Sequence, residues 1–138
     1  MLNQLNLVVR DMEKTLEFYR RLGLEIEVQG GQHASTRLPN GVSLEFDSVE
    51  FVPGWDSGWR GASGGSTVLG FELESREAVD RVYSELTEAG HGAHQPPYDA
   101  FWGARYAIVD DPDGNPVGLM SPIDQTRKTW PPQPPPRA

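Results

Sequence analysis

The chain of 138 residues contains no cysteine, which excludes disulfides, thiolate metal sites and a cysteine nucleophile. Twelve Lys and Arg against twenty Asp and Glu give a formal charge of -8. That balance repels phosphate backbones and anionic membranes, and leaves either plain solubility or attraction of a cationic small molecule as its meaning. The start, MLNQLNLVVRD, lacks a basic segment followed by a long apolar run, and no stretch approaches the roughly 20 apolar residues of a membrane span. A soluble, cytoplasmic protein with one compact domain is expected, with neither nucleic acid nor membrane among its partners.

The segment LNLVV (5–9) is apolar and branched, as a strand requires. Asp11 then stands as the N-cap of a helix whose apolar residues Met12, Leu16, Tyr19 and Leu22 recur every three to four positions, and Gly23 supplies the stop. Short strands are expected over 24–28, 33–38 and 42–46. The interval 48–65 includes VPGWDSGWRGASGG, rich in Gly and Ser yet holding Trp55 and Trp59. These two indoles either pack the loop against the core or line a ligand site. RGASGGS, within the same interval, lacks the Gly-Lys-Ser/Thr ending of a phosphate loop.

The same order of elements then returns. VLGFEL (68–73) reads as a strand, Ser75 as a cap, Val79, Val82, Tyr83 and Leu86 as the buried stripe of a second helix, and Gly90 as its end. Strands are expected over 91–94, 105–110 and 116–120. In both halves the last two strands are joined by a Pro-Asn/Asp-Gly turn, at Pro39-Asn40-Gly41 and Pro112-Asp113-Gly114, where the glycine is free to adopt positive φ. Counting on from the prolines pairs Glu45 with Gly118, and counting back from the caps pairs Gln4 with Val68. The expected fold is therefore α+β, two tandem β-α-β-β-β modules. The expected organisation is one domain over 1–122 (module one 1–47, connecting loop 48–65, module two 66–122) followed by a Pro-rich, extended or disordered tail over 123–138.

Among titratable residues, His91 and His94 differ by an odd number and would point to opposite faces of a regular strand, and His33 has no partner evident from the sequence. Packing or surface roles suit all three. The densest local signal is PPYDAFWGARY (96–106), which gathers Tyr98, Phe101, Trp102 and Tyr106 around Asp99 and Arg105. The aromatics either close the core or form a stacking wall for a flat or cationic ligand.

Two such modules, carrying VVRDMEKTLEFYRRLGLEI (8–26) and FWGARYAIVDDPDGNPVGLM (101–120), resemble the vicinal oxygen chelate superfamily of glyoxalases, bleomycin resistance proteins and extradiol dioxygenases. The resemblance covers residues 3–122 and implies that the modules form curved mixed sheets around a cleft, and that metalloenzyme members would place their ligands at Gln4, Glu45, Val68 and Gly118. The first two side chains carry donor atoms and the last two carry none, so the ligand set is degenerate, and neither a metal nor another cofactor is expected. Gly118 is expected to mark a missing ligand rather than a need of the backbone. The resemblance is nearest in character to the metal-free bleomycin-resistance type, and implies a non-enzymatic protein that sequesters an antibiotic-like, aromatic or cationic compound, with no catalytic residue. The alternative is a metal-dependent lyase, isomerase or dioxygenase. The expected ligand-binding residues are Glu45, Trp55, Trp59, Tyr98, Phe101, Trp102 and Arg105, with Glu45 either anchoring a ligand cation or serving as an ordinary strand carboxylate. Bleomycin-binding relatives share modules between two chains, which implies a homodimer.

Overall fold

A computed structural model of the protein describes residues 2–57, 61, 67–131 and 135. The chain divides into two compact units, Met1–Ser63 and Gly64–Ala138. The first contains β1 (Gln4–Val9), α1 (Met12–Arg21), β2 (Glu27–Gln29), β3 (His33–Arg37) and β4 (Ser43–Ser48). The second repeats the order with β5 (Leu69–Glu72), α2 (Arg76–Glu88), β6 (Gly92–Asp99), β7 (Arg105–Asp110) and β8 (Pro116–Met120). Each unit forms a four-stranded mixed sheet, in the orders β1-β4-β3-β2 and β5-β8-β7-β6, with the outer pairs β1/β4 and β5/β8 parallel.

Both helices begin where the capping chemistry places them. The Asp11 carboxylate accepts from the Lys14 amide and the Ser75 hydroxyl accepts from the Ala78 amide, each satisfying a first-turn donor. α1 buries Thr15, Leu16, Phe18 and Tyr19, with Tyr19 tilted against Phe46 at 5.2 Å between ring centres. α2 buries Ala78, Val79, Val82 and Leu86, facing a sheet in which Ala107, Val109, Val117 and Leu119 are fully buried. Each large apolar side chain so buried contributes roughly 1.5 to 3 kcal/mol. Because side chains alternate across a strand, burial of Leu44 and Phe46 under α1 turns Ser43, Glu45 and Asp47 to the other face, as burial of Ala107 and Val109 turns Tyr106, Ile108 and Asp110 away from α2.

The registers of the two sheets coincide. Asn6 lies beside Glu45 in the first and Gly70 beside Gly118 in the second, so the correspondences of Gln4 with Val68 and of Glu45 with Gly118 agree with each other. β6 is longer than the expected 91–94 and runs through Pro96 and Pro97. It can do so because it is an edge strand with register irregularities between Ala93 and Tyr98, where missing amide donors cost little. Beyond β8, residues 121–131 are described and include a 3-10 turn at Gln125–Arg127. Among the described residues no helix is long and apolar enough to cross a membrane.

The second turn owes its shape to one buried carboxylate. Asp111 accepts from the Asp113 amide at 2.9 Å, the Asn115 amide at 2.8 Å and Asn115 Nδ2 at 2.9 Å, while Gly114 takes φ +82°. Asp111→Ala strands those donors and is expected to cost about 1 to 3 kcal/mol, read as a fall in the urea midpoint. An unchanged midpoint would show that the turn closes without it.

Candidate functional site

The face of the second sheet turned away from α2 is mostly aromatic and apolar. It opens on a cavity of ≈ 460 Å³ lined by Val68, Gly70, Phe71, Glu72, Trp102, Tyr106 and Met120. Tyr106 is the keystone. Its ring lies over Gly118 so closely that a Cβ there would stand 2.7 Å from the hydroxyl and 3.1 Å from Cε1. Trp102 packs edge-on to Tyr106 with centroids 5.2 Å apart, and its Nε1 donates to Met120 Sδ at 3.2 Å. Tyr98, directly across the strand pair, meets Tyr106 edge-on at 6.2 Å and supports it from β6. Burial raises the phenol pKa of both tyrosines, with Tyr106 adding to the rise at Tyr98, so both rings present neutral hydroxyls at physiological pH.

The packing corrects the expectation that Gly118 marks only a missing ligand. The glycine is a requirement of side-chain packing, since any larger residue would displace Tyr106 from the face it forms. Arg105 is corrected as well. As the neighbour of Tyr106 it points to the α2 side, where its Nε donates to Asp80 at 2.9 Å and its Nη1 to Asp99 at 3.3 Å, and Arg76 from α2 also pairs with Asp99. Arg105 thus ties β7 to α2 and to the end of β6 instead of facing the cavity. Desolvation pushes the Asp99 carboxyl up, but the Arg76 and Arg105 guanidiniums outweigh it and hold the carboxyl below its ordinary value. Glu72, absent from the sequence-based site, stands on the cavity rim with no described residue pairing its carboxylate. Strict alternation in VLGFEL, which puts Val68, Gly70 and Glu72 on one face, is the signal that could have found it.

The corresponding face of the first sheet carries polar chemistry. Gln4 Nε2 donates to Asn6 Oδ1 at 2.9 Å and Asn6 Nδ2 donates to Asp47 Oδ2 at 2.9 Å. His33 Nδ1 lies 2.6 Å from Asp47 Oδ1, and its Nε2 lies 3.5 Å from Glu45 Oε1. The Ser43 hydroxyl donates to the other Glu45 oxygen at 2.7 Å. His33 therefore has the partners that the sequence left hidden, and the register shows it to be the counterpart of Tyr106. One Glu45 oxygen thus accepts from Ser43, and the other faces the His33 ring. Trp55 follows a 3-10 turn at Val52–Gly54 in the first unit and is half exposed. Phe101 lies at the turn after β6 in the second unit, and Trp59 lies outside the described residues.

Residues 1–119 match the model of the Glyoxalase/Bleomycin resistance protein/Dioxygenase superfamily. The chain belongs to that superfamily. It is 32% identical over 119 residues to the uncharacterized protein YraH of Bacillus subtilis, across 81% of this chain and 91% of that one. It also resembles the crystal structure of a glyoxalase-related enzyme from Fulvimarina pelagi, with a TM-score of 0.77 at 22% identity and 88% coverage of each chain. A stretch of 68 residues is 38% identical to Nestin of Mesocricetus auratus; it is 48% of this chain but spans only 4% of that protein.

The metalloenzyme ligand pattern of the superfamily does not fit this chain. Val68 offers no donor, Tyr106 fills the space into which a side chain at Gly118 would project, and one Glu45 oxygen already accepts from Ser43. Among the described residues no group of three or more His, Asp or Glu side chains is placed to hold a metal ion.

Two outcomes follow from this packing and pairing. Gly118→Ala is expected to cost about 1 to 3 kcal/mol in the native background. With Tyr106→Ala already present it should turn neutral or stabilising by about 0.4 to 1 kcal/mol, because Ala restricts the unfolded chain. Equal costs in both backgrounds, measured by urea unfolding, would remove Tyr106 as the cause. For Asp99, the lowered folded-state pKa means that its stabilising contribution is present above the unfolded-state value and is lost as pH falls through the folded-state value. Solvent screening keeps this contribution small because the carboxylate is 65% exposed. Asp99→Asn should flatten the acid side of the stability profile, and an unchanged profile would show the ion pairs to be inert.

Proposed function

We propose that this superfamily member binds and sequesters a flat, cationic, antibiotic-like small molecule without transforming it, using the open face of the second sheet. The observation that carries this reading is the Trp102–Tyr106 wall over Gly118 with the Glu72 carboxylate, which no described residue pairs, on the same rim. A desolvated cation over an indole face is worth on the order of 2 kcal/mol, and a stacked ring roughly 0.5 to 1.5 kcal/mol beyond its buried area. A few such contacts bring binding toward the micromolar range, about -8 kcal/mol. A metal-dependent lyase, isomerase or dioxygenase would need donors that Val68 and Gly118 do not carry.

The assembly proposed with this reading is a homodimer. Half-exposed Val28, Phe51 and Trp55 on the first unit offer apolar surface for a second copy. The absence of cysteine suits a reducing cytoplasm.

Proflavine, a planar cation, serves as the probe. Trp102→Ala is expected to weaken its binding by about 1 to 3 kcal/mol in calorimetry while the protein stays folded. Glu72→Gln is expected to weaken proflavine and to leave a neutral planar compound unaffected. Indifference of proflavine to both variants would end the sequestration reading. Light scattering at micromolar concentration that shows only monomer would end the dimer proposal alone.

A further inference from the structure

The chain that follows β8 runs back along the Trp102 loop and forms a second, open hollow with it. Ser121 donates its amide to the Arg105 carbonyl at 3.0 Å, Asp124 to the Gly103 carbonyl at 2.9 Å and Thr129 to the Phe101 carbonyl at 2.9 Å. The Asp124 carboxylate caps the intervening turn by accepting from the Thr126 amide at 3.0 Å and the Thr126 hydroxyl at 2.6 Å. Gly103 takes φ +97°, and a Cβ there would strike the Asp124 carbonyl, so the fit between this strap and the Trp102 loop demands glycine. Between strap and loop lies a cavity of ≈ 340 Å³ lined by Phe101, Trp102, Lys128, Thr129 and Trp130.

Its chemistry differs from that of the open face. Phe101 meets Trp102 edge-on at 5.2 Å and 90° and Trp130 edge-on at 6.4 Å and 72°, and Trp130, 82% exposed, presents its ring to solvent. Lys128 is one of only two lysines in the chain. Its stem lies against Gly103 and no described carboxylate pairs with its ammonium, whereas the neighbouring Arg127 is paired with Asp124 at 3.4 Å. We propose that this strap cavity is a second binding site, one that takes a planar aromatic anion of one or two fused rings by stacking on Trp130 and Trp102 and pairing its carboxylate or sulfonate with Lys128. The volume stands at the small end of ligand pockets, about 300 to 1,000 Å³, which limits the occupant to that size. In a chain of net charge -8 an ammonium beside aromatic rings, with no described carboxylate on it, selects for an anion locally against the general field.

The test is a titration of the full chain with naphthoate and, separately, with naphthylmethylamine, following the indole N–H signals of the four tryptophans by NMR. Naphthoate is expected to move the Trp130 and Trp102 signals saturably and to leave Trp55 in place. Lys128→Ala should weaken that binding about fivefold or more, the scale of one exposed ion pair, and Lys128→Arg should restore it to within about twofold of the native value, since charge is what the site reads. Trp130→Ala should abolish the saturable response. The proposal is overturned if naphthylmethylamine moves Trp130 as tightly as naphthoate does, if Lys128→Ala changes nothing, or if the naphthoate response falls on Trp55. Naphthoate is read without any cation present, so failure of proflavine at the open face would defeat the sequestration reading and leave this one standing.

Discussion

Everything the second module presents on its open face depends on one missing atom. Without a Cβ at Gly118 the Tyr106 ring settles onto the strand, and Trp102 can then lean on Tyr106 while its indole reaches Met120. A methyl group in that place would lift the phenol, and with it the indole, because protein interiors yield little to an inserted methylene. The wall of the cavity is therefore a stack of dependent placements rather than a set of independent aromatic residues. Its lowest course is a glycine.

The same backbone plan carries opposite chemistry in the two modules. Where the first sheet has Asn6, His33, Glu45 and Asp47, the second has Gly70, Tyr106, Gly118 and Met120 at matching registers. One face is a chain of hydrogen bonds that satisfies a buried carboxylate, and the other is a set of rings around a thioether. The two sheets share one strand order and register, and the residues at four facing positions decide what each face can hold. This is why membership of a superfamily with metalloenzymes and binders says little about chemistry until the facing positions are read.

Much of the fold was legible because its signals are local. The caps Asp11 and Ser75, the helical stripes and the two Pro-x-Gly turns each act within a few residues, and the correspondence of Glu45 with Gly118 came from counting between them. The site was legible only in part. Tyr98, Phe101 and Trp102 were found as a cluster because they are close in sequence, but Arg105 was assigned to the cavity by that same closeness although strand alternation turns it toward Asp80 on α2. His33 was passed over because its partners Asp47 and Glu45 are brought to it by strand pairing. Glu72 was passed over for a different reason: a single exposed carboxylate in an acidic chain looks like any other until a cavity is seen beside it.

The two prolines of β6 bear on assembly. They lie on the outermost strand of the second sheet, at register irregularities, and proline has no amide hydrogen to offer. An outer strand with a regular row of unpaired amides is a template onto which another chain can zip. Pro96 and Pro97 interrupt that row, so neighbouring molecules cannot fuse their sheets into a continuous ribbon along this border. A second copy that approaches along this border must do so through side chains, and the geometry of that contact is then set by surface shape and not by the repeat of the backbone ladder.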